Sequence, residues 1–233
     1  MKTIIALLTL LFTFSTFAQV KNESEAGLAA ANGNTKSQTY NVKQFNSYTF
    51  EKNILSFRGR YMNAKANGVE TARIFSGGLR YERELTENLG AFVGETYEVD
   101  KFAGIKARYI SDFGGKYSYL KTEKTKLFSE LGYRYMKEER FDGSQTNASY
   151  ARFYNEWEHK WNENFSTRYW LEYLPNFSRP KDYQANTEIS LSAMLSEIFS
   201  LKSGFLVRYD HLPAPGVLYK TDSLFTTALV AKF

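Results

Sequence analysis

The chain has no cysteine, two histidines and four prolines among its 233 residues. Without cysteine there is neither a disulfide framework nor a thiolate metal site. Long apolar runs are missing too, except at the very N-terminus. That excludes a helical membrane protein, because each span needs ~20 apolar residues. No block of five or more Lys/Arg occurs and the net charge is only +5, which argues against a nucleic-acid partner. Aromatics, by contrast, are abundant: 17% of the chain, with 17 Tyr and 19 Phe. A chain so aromatic is not disordered. Tyr and Phe in place of Ala, Leu, Glu and Lys exclude a long coiled coil. The mean hydropathy of −0.45 is that of an ordinary soluble domain.

The N-terminus reads as an export signal. Lys2 supplies a positive start, Ile4 to Phe17 an apolar run and Ala18 a small residue at the cut, placing cleavage between Ala18 and Gln19. A membrane anchor is the alternative, but the run falls short of the ~20 residues of a span. With no cysteine at the cut, the mature chain is not a lipoprotein. The expected organisation is a signal peptide over 1–18, a short periplasmic segment over 19–24 and one β domain over 25–233.

From the carboxyl end backward, the chain alternates. Phe199, Leu201, Ser203, Phe205, Val207 and Tyr209 share one face; Ser200, Lys202, Gly204, Leu206, Arg208 and Asp210 share the other. The same period of two recurs in segments containing Phe225–Phe233, Ile189–Leu195, Phe165–Tyr173, Phe153–Trp161, Leu127–Tyr135, Ala103–Phe113, Leu89–Val99, Phe75–Tyr81 and Leu55–Tyr61. Residues 37–51 and 25–32 alternate with weaker contrast. The spacing predicts about twelve strands, with ten as the alternative, since the first two are weakly patterned. Glu95 and His159 are exceptions, polar residues on apolar faces.

Long alternating strands suit a soluble sandwich or barrel, or a transmembrane barrel. Roughly eighteen residues per strand and turn exceed what soluble strands use and suit ~9–11 residues crossing hydrocarbon. The polar face carries both signs of charge on nearly every strand, which suits a wet lumen rather than a soluble core. Aromatics cluster near strand ends, like interfacial girdles. Connections near 51–53, 85–88, 120–124, 161–164 and 196–197 are short, while Arg140–Asn147, Asn176–Asp182 and His211–Asp222 are longer and Asn63–Val69 is intermediate, matching short periplasmic turns and longer outer loops, with Gly33–Lys36 and Asp100-Lys101 as short exceptions. Phe233, with apolar residues at every second place before it, fits a barrel-assembly signal; an ordinary strand-end aromatic is the alternative. The expected fold is an all-β, antiparallel, up-and-down transmembrane barrel in the outer membrane of a Gram-negative bacterium.

Three stretches carry a family resemblance. Ala26-Gly-Leu-Ala-Ala-Ala-Asn-Gly-Asn-Thr-Lys-Ser-Gln-Thr-Tyr40 reads as an opening hairpin with Gly33-Asn34-Thr35 at its tip. Tyr97-Glu-Val-Asp-Lys-Phe-Ala-Gly-Ile105 and Glu130-Leu-Gly-Tyr-Arg-Tyr135 follow it. The sequence thereby resembles domain-of-unknown-function family 481, the salt-induced outer-membrane proteins, over about residues 25 to 140 and more loosely beyond. Gly114-Gly-Lys-Tyr117 departs from the family's Gly-x-Gly-Tyr. The resemblance implies an outer-membrane barrel and supplies no activity.

Candidate chemistry is thin. His159 with Asn155, and Ser129 or Thr167 as nucleophile, would make a phospholipase-like site; a histidine beside a short turn is the simpler account. His211 has only Asp210 beside it, too little for a metal site or an omptin-type protease. The non-apolar face carries Arg58, Arg60, Arg80, Lys106, Arg108, Arg134, Arg152, Arg168, Lys202 and Arg208 against Asp112, Glu130, Glu156, Glu172 and Glu188. These charges either brace a filled interior by salt bridges or line a narrow path; an arginine-rich open lumen favours anions. Twelve strands lie between filled eight-stranded barrels and open ~16–18-stranded ones. No cofactor and no nucleic acid is expected. The expected partners are outer-membrane lipid and lipopolysaccharide, with assembly machinery during insertion, around a monomer. An outer-membrane hydrolase is the alternative function.

Overall fold

In the computed structural model, residues 19–31, 36–213 and 219–233 are described. The export segment 1–18, the Gly33-Asn34-Thr35 tip and the Ala214-Pro215-Gly216 stretch lie outside the described residues. Twelve strands form: β1 (Gln19–Ala31), β2 (Ser37–Phe50), β3 (Asn53–Ala66), β4 (Val69–Glu84), β5 (Leu89–Asp100), β6 (Ile105–Lys121), β7 (Thr125–Arg140), β8 (Gln145–Lys160), β9 (Phe165–Pro175), β10 (Tyr183–Met194), β11 (Phe199–Asp210) and β12 (Thr221–Lys232). Each pairs antiparallel with its sequence neighbours, and β1 pairs with β12 to close the ring. Strands spaced about 4.8 Å apart and tilted about 40° make a twelve-stranded ring roughly 24 Å across its backbone.

Alternation puts two chemistries on the two faces. Leu79, Phe113, Leu131, Ile189, Phe205 and Phe225 point outward and are exposed. Glu25, Glu130, Glu138, Arg152 and Glu172 point inward and are buried. A soluble barrel would do the reverse; a continuous apolar outer wall of this extent is compatible with lipid and not with water.

Two aromatic belts ring the wall. At the Phe233 end, Trp157 stacks on His159, which meets Trp161 edge-on, and Tyr117 meets Tyr119 at 5.0 Å. At the opposite end, Phe75, Tyr97 and Tyr109 form one run, and Tyr173, Tyr183 and Tyr209 another. Phe233 itself is tied to β1 by both backbone bonds with Asn22, each 3.0 Å.

The structure departs from the sequence expectations in four places. Residues 19–24, expected ahead of the barrel, are the first half of β1. The long connection expected over Arg140–Asn147 shrinks to residues 141–144, because β7 and β8 run on past it. The tight turn is possible because Gly143 takes φ +84° while the Asp142 carboxylate accepts the Ser144 N–H at 2.8 Å. Asn67 and Gly68, both at positive φ, likewise replace a longer connection between β3 and β4. Finally, a bulge at Ile105/Ala107 turns Ile105 inward, where it is buried, although alternation placed it on the outer face. The family-like Tyr97–Ile105 stretch is the β5–β6 turn. There the Asp100 carboxylate accepts the N–H groups of Phe102 and Ala103, and Gly104 has φ +76°.

Candidate functional site

The lumen is where the charged residues meet. Glu130 on β7 accepts from Arg80 on β4 at 2.6 Å and from Arg152 on β8 at 2.6 Å. Arg152 also donates to Glu172 on β9 at 2.7 Å. Glu172 is shared with Arg134, which grips both oxygens of Asp112 on β6 at 2.7 and 2.8 Å. Three bases and three acids thus form one network across five strands. The neighbouring glycines make room for it. A Cβ at Gly132 would come 2.7 Å from the Phe113 carbonyl and crowd Phe92, whose ring lies 3.9 Å below the Arg80 guanidinium.

The rest of that wall is rich in ion pairs as well. Lys116 and Arg80 share Glu82; Arg108 bridges Glu98 and Glu138; Arg140 caps Glu138; Arg168 holds Glu156 with two bonds. Tyr154 donates a short bond to the same Glu156. From β4 to β9 the inward bases are Arg80, Arg108, Lys116, Arg134, Arg140, Arg152 and Arg168. The acids paired with them are Glu82, Glu98, Asp112, Glu130, Glu138, Glu156 and Glu172, so these seven bases and seven acids balance, while Asp100 adds one inward acid without an ion pair among the described residues. Above it, Met136, Tyr150 and Leu174 form a small apolar cluster.

The other wall is less fully paired. Glu25 on β1 bridges Lys43 on β2 and Lys202 on β11, each at 2.9 Å, and Lys202 lies 3.9 Å from Glu188. Arg58, Arg60 and Arg208 make no ion pair among the described residues. Arg58 lies over the Phe45 ring at 5.4 Å and is exposed. Arg208 is the register partner of Asp222 without pairing to it. Arg60 faces the charge of Arg208 across the lumen. This wall sets five bases, Lys43, Arg58, Arg60, Lys202 and Arg208, beside four acids, Glu25, Glu188, Asp210 and Asp222, and among the described residues only Lys43 and Lys202 of these bases are ion-paired.

Of the residues named from sequence, Lys106 is misplaced. It sits in the β6 bulge at the barrel rim, paired with Glu139 at 2.6 Å and more than half exposed. Sequence reasoning missed Glu25 and Lys43, which lie on the weakly patterned β1 and β2. A Glu and a Lys in the same parity as those strands' buried positions was the available signal.

The structure brings Asn155 to Ser129 and sets Thr167 in register with His159, but among the described residues the histidine ring bonds to none of the three. His159 Nδ1 meets Thr125 Oγ1 at 2.8 Å; Asn155 donates to Ser129 at 2.9 Å; Trp161 Nε1 donates to Thr167 at 2.8 Å. His211 stacks on Tyr183 and its Nδ1 meets the Tyr209 hydroxyl at 2.8 Å, as part of the aromatic belt.

Residues 24–233 match the family described as "Protein of unknown function, DUF481". The chain belongs to this family. No protein of curated function matches the sequence of this DUF481 barrel. Among solved structures it resembles the NanC porin, at 9% identity and a TM-score of 0.50, covering 92% of this chain and 98% of that one. It also resembles the translocator domain of the autotransporter NalP from Neisseria meningitidis, at 8% identity and a TM-score of 0.50, covering 100% and 93%. At such identity the likeness is one of fold: an antiparallel barrel closed in the manner of bacterial outer-membrane proteins.

Proposed function

We propose that this protein is an integral outer-membrane barrel acting as a narrow pore that prefers anions. The carrying observation is the asymmetry of its lumen. A cross-braced, ion-paired wall lines one side, while on the other Arg58, Arg60 and Arg208 make no ion pair among the described residues. A path beside fixed cations in a confined lumen attracts anions and repels cations.

The apolar wall and aromatic belts support insertion in the outer membrane, in contact with lipid and lipopolysaccharide, as a monomer. Export by a cleaved signal over 1–18 and insertion by assembly machinery reading Phe233 complete the proposal. It assigns no catalytic role to His159.

Full-length mature protein, refolded and inserted in planar bilayers under a KCl gradient, tests it. The reversal potential should lie on the chloride side and move toward zero when Arg58, Arg60 and Arg208 are replaced together by Gln. Absence of conductance above background overturns the pore. Conductance without anion preference overturns the role of the three arginines. The braced wall supports a second reading, a closed envelope component, which the first of these outcomes would favour.

A further inference from the structure

We propose that Asn41 and Arg60 form a binding station for one oxyanion, a carboxylate or a phosphate, on the inner face of β2 and β3. The solute's route to it rests on the pore reading; the site itself does not.

Among the described residues, the buried side-chain nitrogen and oxygen atoms left without a hydrogen-bond partner are Asn41 Nδ2, Asn41 Oδ1 and Arg60 Nε. They occur together. Asn41 is in register with Met62, and Lys43 with Arg60, so Asn41 and Arg60 are diagonal neighbours on one face. Their surroundings explain why they stay unpaired. Across from Asn41 stand Gly27, which has no side chain, and Met62, which has no strong acceptor. Beside Arg60 stands Lys43, a like charge already held by Glu25. The guanidinium meets only the Met62 sulfur, at 3.5 Å.

A buried polar group without a partner destabilises the fold. Three such atoms on two diagonal neighbours of one face, in a lumen whose opposite wall is rich in ion pairs, mark a place completed by something bound. The edge of a guanidinium offers two parallel N–H donors that fit a carboxylate or phosphate bidentately. The Asn41 amide adds a third donor, and its oxygen can accept from a hydroxyl on the same ligand. Lys43 and Arg208 add positive field, partly offset by Glu98, Glu188 and Asp100. Met62 covers these atoms and is itself buried; an unbranched thioether can swing aside without disturbing the strands.

The test is calorimetric titration of the refolded mature chain in detergent with sodium phosphate, sodium acetate and, as a neutral isostere, acetamide. Saturable binding of phosphate or acetate but not acetamide is expected, and the tighter of the two names the ligand's head group. Arg60→Gln should weaken it about tenfold or more, and Asn41→Leu should weaken it too, while Lys126→Gln at the rim leaves it unchanged. Heat-modifiable gel migration confirms that each variant is folded; should Arg60→Gln fail that check, Arg60→Lys replaces it, since Lys keeps the charge and loses the two-donor edge. No saturable binding of either anion, or equal binding by the folded Arg60 and Asn41 variants and the parent, overturns the site and leaves these atoms to water. A barrel that binds but does not conduct would sink the pore and keep the site; one that conducts without binding would do the opposite.

Discussion

Arg152 is the side chain on which the braced wall turns, and Arg152→Met measures what the bracing contributes. The arginine is buried and donates to Glu130 at 2.6 Å and Glu172 at 2.7 Å. Methionine keeps most of its length and removes both bonds. Neither acid is then wholly stranded: Glu130 keeps Arg80, and Glu172 keeps Arg134 at 3.0 Å and Asn186 at 3.2 Å. The loss should therefore fall below the ~3–5 kcal/mol of an orphaned buried charge. Two charge-assisted bonds, partly compensated by the survivors, give about 2–3 kcal/mol. What remains is one surplus negative charge among Asp112, Glu130 and Glu172. Glu130→Gln removes that surplus, so the double variant should be more stable than the sum of the two singles implies, by about 1 kcal/mol or more. Equilibrium unfolding by denaturant in lipid vesicles, followed by the fluorescence of Trp157, Trp161 and Trp170, reads each value. Strictly additive losses, or an Arg152→Met loss too small to measure, would refute the account of a coupled network.

Other substitutions test other parts of the fold. Phe205 faces outward between Ile189 and Phe225, so Phe205→Arg should cost about 2–4 kcal/mol in lipid, while inward Leu206→Arg should be milder; equal effects in vesicle unfolding would contradict the assigned faces. Glu95 is exposed on the outward face beside Leu79 and Ser111, and Glu95→Leu should raise stability by about 1 kcal/mol in the same assay. A drop would show that the carboxylate meets a partner. A Cβ at Gly114 would overlap the Leu131 carbonyl and Gly132 Cα, so Gly114→Ala should cost about 2 kcal/mol or prevent refolding; normal refolding yield would argue against so close a β6–β7 approach. His159→Ala should leave the protein's behaviour toward phospholipid and peptide substrates unchanged, and lost turnover would revive the hydrolase alternative.

The outward rows of β3 to β12 were legible in the sequence because each is apolar at every second position. β1 and β2 were not, for a reason the structure shows. Their outward faces carry Asn22, Ser24, Gln44 and Asn46, which bond to one another instead of presenting hydrocarbon. That mutual satisfaction blurs the contrast on which alternation depends. Pairings across the lumen were also hidden. Alternation says that Arg80 points inward, but its strongest acid, Glu130, lies three strands away, and only the curvature of the closed ring brings them together. Ile105 and Lys106 were misjudged because one bulge shifts parity by a residue, and a bulge leaves no mark in a hydrophobic pattern. Arg58, Arg60 and Arg208, which make no ion pair among the described residues, could not be told from the paired arginines by type or spacing.

The join between β1 and β12 has a meaning for how the ring is made. Among the described residues it is held in register from Asn22/Phe233 to Ala26/Leu229, whereas β7 and β8 match from end to end. Every other pair can form between neighbours in sequence, as a hairpin. This one unites the two ends of the domain, and its loop-closure entropy is the largest in the molecule. Ion pairs reinforce its backbone bonds: Glu25 reaches Lys202 on β11 across 177 residues of chain, and Glu23 meets Lys232 on β12 at 3.4 Å. Eleven hairpins zip a curved sheet, and backbone bonds with a few charges at its two edges turn that sheet into a cylinder.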